Sequence, residues 1–150
     1  MGPRLTAADV CAVTGYSRDE LQALLRVMSP YAVDRPAPRV AREFTPRDLI
    51  VLGVTQLLEQ RYGLRRTAVA EMGPLLHEVL AGPRLLNRQA RLAVTAHPAR
   101  IEYLEDGAPV AEGLVIALGP LFDKVDTYLN FGQSQLALQF GPTVVGRKYG

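Results

Sequence analysis

Apolar positions recur every three to four residues through the first eighty residues of the chain, and every second residue from about Leu92 onward. The first pattern predicts helices and the second strands. Thr6 is an N-cap with Asp9 three residues on, an approximate capping box, and Ala7, Val10 and Val13 then share one face of a short helix. Thr14-Gly15-Tyr16 breaks that helix, because Gly15 can take a left-handed turn at little cost. Ser17 and Glu20 form a clearer capping box for a second helix. Leu21, Leu24, Leu25 and Met28 follow at i, i+3, i+4 and i+7, an amphipathic core face that Ser29-Pro30 ends.

Residues 31–43 contain Pro36 and Pro38 among Arg35, Arg39 and Arg42, which predicts a loop or short hairpin. Thr45 and Pro46 then read as N-cap and first helical residue, with Asp48 in the first turn. Leu49, Leu52, Gln56, Leu57 and Leu58 carry this helix to about Arg61, and Tyr62-Gly63 stops it. The next helix holds Val69, Met72, Leu75, Leu76, Val79 and Leu80, with a kink or break at Gly73-Pro74 and an end near Leu80 to Gly82. Beyond it Leu92, Val94 and Ala96 alternate, as do Ile101 and Tyr103, and Glu105-Asp106-Gly107 signals a hairpin turn. Leu114 to Leu118 is a short apolar strand, Pro120 opens a helix to about Asn130, and Leu136, Leu138 and Phe140 lie at strand spacing. The predicted class is α+β: a winged helix-turn-helix, a helix pair, and a small strand-rich C-terminal segment with one helix. A division into residues 1–82 and 83–150 follows.

Composition narrows the function classes. Of 150 residues, 48% are hydrophobic, enough for a core and too many for a disordered chain. No apolar run approaches the roughly 18 residues of a membrane span. The start, MGPRLTAAD, lacks an apolar signal core, and the single cysteine, Cys11, cannot form an internal disulfide. A soluble, cytoplasmic protein is the default expectation. Residues 1–91 carry 13 Lys+Arg against 9 Asp+Glu, net +4, whereas residues 92–150 carry 4 against 6, net −2. Fifteen of the 17 cations are arginine. That preference fits bidentate recognition of phosphate and guanine edges, and GC-rich codon usage gives the same bias.

A helix that reads DNA must be short, capped, and presented with its N-terminal residues outward. The helix starting at Ser17 meets that description. Arg18 stands at its first exposed turn, suited to guanine or phosphate, and Gln22 one turn later is a second candidate base reader. Tyr16 and Ser17 can contact phosphate oxygens beside the helix N-terminus. Residues 5–80 resemble the N-terminal winged-helix domain of the MerR family of transcription regulators. The resemblance rests on AADVCAVTGYSRDELQALLR, on RVAREFTPRDL and on LLEQRYGLRRTAVAEM, and covers about half the chain. It implies that Arg35, Arg39 and Arg42 grip phosphates from a first wing, and Arg65 and Arg66 from a second. The family continues with a long dimerising helix, whereas here the pattern changes to strands.

Enzyme signatures are absent from the sequence: there is no P-loop, dinucleotide fingerprint or nucleophile elbow. Cys11 sits beside Val10 and reads as a buried inert thiol, and His77 and His97 have no ligand spacing. Glu102, Glu105, Asp106 and Glu112 read as a solvated turn. The expectation is therefore a non-enzymatic homodimer on duplex DNA, with no cofactor, metal or membrane. The alternative is a protein-interaction module or antitoxin whose winged helix or residues 83–150 bind a protein partner. A DNA-bending phage-type factor is a third. Residues 114–130 either form a dimer surface or complete one core.

Overall fold

The computed structural model describes residues 4–81, 88–105 and 107–139, the stretch 131–139 in its backbone. Helices α1 (Ala7–Thr14), α2 (Arg18–Val27), α3 (Pro46–Gln60), α4 (Arg66–Glu71) and α5 (Gly73–Val79) come first. Strands β1 (Arg91–Ala96), β2 (Ala99–Leu104) and β3 (Leu114–Ala117) and helix α6 (Gly119–Gln139) follow. The molecule is thus mixed helix and sheet.

The local stop and start signals act where the sequence puts them. Asp9 accepts from the Thr6 N–H at 2.7 Å, Ser17 and Glu20 bond reciprocally at 2.9 and 3.1 Å, and Thr45 and Asp48 do so at 2.7 and 3.2 Å. Gly15 ends α1 at φ 90°, in the left-handed region. The chain reverses there because only glycine enters that region freely. The Gly73-Pro74 ambiguity resolves as a break between α4 and α5. A Cβ on Gly73 would lie 2.6 Å from Met28 Cγ and from the Ser29 carbonyl oxygen, so a side chain there would push α5 off the end of α2.

Helix α3 is the hub. Leu49 through Thr55 and Leu58 are all buried, with α1, α4, α5 and α6 packed around it. The periodicity of Leu49, Leu52, Gln56, Leu57 and Leu58 marks the helix but not its full buried surface: Gln56 and Leu57 are only half-buried, while Ile50, Val51 and Val54 are also inside. The cause is α6, whose Leu121 seats against Gly53 on the side a two-layer arrangement would leave in water. Leu121 and Val125 join the same hydrophobic cluster as Val10, Leu24, Leu52, Leu92 and Ile116, so α6 completes one core up to Asn130. The expected 82/83 boundary lies outside the described residues, but the hydrophobic cluster runs continuously across the two halves.

The sheet has the order β2-β1-β3, with both outer strands antiparallel to β1. Leu92 pairs with Tyr103 and Ile116, and Val94 with Ile101 and Leu114, which places these six apolar side chains on one face, toward the helices. Thr95 opposite Arg100, and Glu102 opposite Ala93, mark the other face. The hairpin turn is His97-Pro98 between β1 and β2, not Glu105-Asp106-Gly107. Glu105 and Gly107 instead start a crossover that carries the chain past β1, and Asp106 lies outside the described residues. One further expectation is corrected: Leu136 and Leu138 belong to α6 rather than a strand, with Phe140 outside the described residues. Of the two alternatives for residues 31–43, the structure takes the loop, and one bridge, Leu5 to Phe44, closes it at its base. Among the described residues, no helix is long and apolar enough to cross a membrane.

Candidate nucleic-acid interface

Helix α2 buries Leu21, Leu24, Leu25 and Met28 against α1 and α4. Its opposite side is left in solvent, and there Arg18, Gln22 and Arg26 recur every four residues, all exposed. Residues four apart on a helix stack in one row, so these three side chains form a single outward stripe. Arg26 adds to the residues that the sequence pattern singles out. The signal that could have found it is its four-residue spacing from Gln22. Glu20 beside the stripe is engaged by the Ser17 N–H, which leaves Asp19 as the exposed acid of this first turn. Ser17 is exposed, and its oxygen accepts from the Glu20 N–H at 3.1 Å. Its hydroxyl proton remains able to donate outward.

Tyr16 does not stand beside it. The ring is buried, 3% exposed, and the hydroxyl shares its one proton between Thr55 Oγ1 and Glu59 Oε2, each at 3.0 Å. Thr55 uses its own proton on the Leu52 carbonyl at 2.8 Å, so it can only accept from Tyr16. Burial first, and then Glu59, push the Tyr16 phenol well above its usual range. Glu59 also receives Arg66 Nη2 at 3.0 Å, and its side chain is 7% exposed. Arg66 is half-buried, and its Nε has no hydrogen-bond partner among the described residues. Tyr16 and Arg66 therefore lock the α1–α2 turn and the start of α4 onto α3. Both leave the set of side chains free to meet a phosphate, whereas Arg65 is exposed.

The arginine loop divides in the same way. Arg42 is half-buried, donating Nη1 to the Asp34 carbonyl at 3.0 Å and Nη2 to the Tyr31 carbonyl at 3.3 Å. Its guanidinium lies 5.8 Å from the Tyr31 ring centroid, within cation–π range. Tyr31 in turn gives its hydroxyl proton to Asp48 Oδ1. His77 Nε2 lies 3.1 Å from the same phenol oxygen. Since that oxygen's only proton goes to Asp48, His77 acts as the donor through its Nε2–H tautomer. Burial pushes the Tyr31 phenol up and the His77 imidazole down, Asp48 opposing the latter shift. Arg42 is thus a clamp at the base of the loop.

Arg35 and Arg39 are exposed, Arg35 with its Nε donating to the Ala32 carbonyl at 3.3 Å and its two terminal nitrogens left in solvent. The tip is a β-turn closed by the Val40 N–H on the Ala37 carbonyl at 3.0 Å, with Pro38 and Arg39 in the middle. Arg39 has φ 69°. Proline followed by a positive φ defines a type II turn, in which glycine is the favoured third residue. An arginine occupies that place here.

Cys11 is half-buried rather than fully enclosed, and burial raises its thiol above the ordinary range, which disfavours the thiolate. Among the described residues, no three His, Cys, Asp or Glu side chains converge on a metal-sized site. Compared with known proteins, the chain matches no family model, no curated protein and no solved structure.

Proposed function

We propose that this chain is a sequence-specific transcription regulator that binds duplex DNA as a homodimer through a winged helix-turn-helix of MerR-like type. The observation that carries the reading is the α2 stripe. A short helix with a capping box at its start is fixed to the body by Leu21, Leu24 and Leu25, with buried Met28 at its C-cap, and offers Arg18, Gln22 and Arg26 in one solvent-facing row. Arginine and glutamine are the residues whose bidentate geometry fits guanine and adenine edges in the major groove. Ser17, Arg35, Arg39 and Arg65 supply exposed contacts for phosphate oxygens. Tyr16, Arg42 and Arg66 serve the interface indirectly, by fixing the turn, the loop and α4.

The test is substitution along the stripe. Arg18→Ala costs about 1–3 kcal/mol of affinity for the preferred site and relaxes preference at one base position. Arg35→Ala weakens all sequences alike and lowers the salt slope by about one. Unchanged affinity in Arg18→Ala and Arg26→Ala together removes α2 as the reading helix.

A protein partner is the second reading, favoured by one observation. Val33 and Val40 flank the loop arginines and are 75% and 56% exposed, apolar surface that a phosphate backbone does not use. Co-purification of a stoichiometric protein, with weak and sequence-independent DNA binding, selects this reading.

A further inference from the structure

A cleft of about 740 Å³ opens where α1, the C-terminal end of α3, β3 and α6 meet. Its floor is apolar: Val13, Leu57, Ile116 and Leu121 line it. Its rim carries Arg61, Lys124 and Asp123. Asp123 is ion-paired with Arg88, which also reaches Asp126 at 3.6 Å. Tyr128, at one end, gives its hydroxyl proton to Asp9. Arg61 and Lys124 are exposed and have no ion pair among the described residues. The rim therefore presents two uncompensated cations above a greasy floor, and the volume is that of a small-molecule site.

We propose that this cleft binds a small amphipathic anion, an alkyl or aryl body carrying one carboxylate-like head. The body lies on Val13, Leu57, Ile116 and Leu121, and the head sits between Arg61 and Lys124. Charge complementarity over apolar surface selects this ligand class, whether or not the chain binds DNA. A cation would meet Arg61 and Lys124 as like charges. A neutral apolar molecule would leave both without a partner.

Decanoate, titrated calorimetrically into the full chain below its micelle threshold, is the probe, with decanol and decyltrimethylammonium as the neutral and cationic comparators. The expected result is saturable one-to-one binding of decanoate, with the comparators at least about tenfold weaker. Arg61→Glu and Lys124→Glu each weaken decanoate by about tenfold. Ala117→Trp, which fills the cleft from an exposed position on β3, abolishes binding while the circular dichroism spectrum is unchanged. Equal affinity for all three probes, indifference to both charge reversals, or no saturable decanoate binding overturns the proposal. Decanoate affinity that falls as protein concentration rises also overturns it, by assigning the cleft to a second copy of the chain.

Discussion

Gly73 shows how one residue's missing side chain sets the spacing of two helices. With Met28 Cγ and the Ser29 carbonyl oxygen both 2.6 Å from where a Cβ would stand, Gly73→Ala forces α5 and the end of α2 apart. A loss of about 1–3 kcal/mol follows, read as a lower midpoint in urea with an unchanged slope. An unshifted midpoint would mean that the contact is not as tight as its geometry. His77 makes a second prediction. Burial holds its pKa below the usual 6.5, so the folded protein prefers the neutral imidazole that donates to Tyr31. The unfolded chain then takes up a proton near pH 6.5 more readily than the folded one. Stabilisation from this group is complete above pH 6.5 and is lost as pH falls through that value toward the lower folded pKa. An NMR titration of His77 gives a midpoint below 6.5, and Tyr31→Phe, which removes its partner, moves that midpoint.

Among the elements, the tip of the arginine loop separates stability from function. Arg39 sits at φ 69° in the turn position that favours glycine. Arg39→Gly relieves that conformation and leaves stability unchanged or up to about 1 kcal/mol higher, glycine's greater unfolded entropy offsetting part of the gain. The same variant loses DNA affinity if the arginine meets phosphate. A variant that is less stable would show that Arg39 serves the loop's own structure.

The sequence made the helices legible because their signals are local. Ser17 with Glu20, Thr45 with Asp48, Gly15 and Gly73-Pro74 each act within a few residues. The side-chain partners were not legible, because they come from distant elements. Tyr16 meets Thr55 and Glu59, Arg66 meets Glu59, and Tyr31 meets both Asp48 and His77. Tyr16 and Arg66, which read as phosphate contacts, are therefore fastened to the body. Strand pairing escaped for the same reason. Glu105-Gly107 is a genuine turn, with the Ala108 N–H on the Glu105 carbonyl, yet β3 goes on to pair with β1 instead of β2.

At the scale of the whole molecule, α6 ties the two halves together. Leu121 and Val125 pack into the cluster built on α3, and Tyr128 bonds Asp9 of α1. Leu121→Ala costs about 2–4 kcal/mol and lowers one shared melting transition, followed by both near- and far-ultraviolet circular dichroism. Two separated transitions would mean that residues 1–82 and 83–150 unfold independently. The same coupling connects α6, which lines the cleft, to α1 and the turn that carries α2. All of these elements meet in the proposed reading of duplex DNA by the face built on α2. Fluorescence anisotropy of the purified chain tests it most directly, using the duplex from upstream of its own gene and a scrambled duplex of equal length across a salt series. Tight binding to the first is expected, at least about a thousandfold over the second, with affinity falling steeply and linearly in log salt. Equal weak binding to both duplexes, or none, would contradict it.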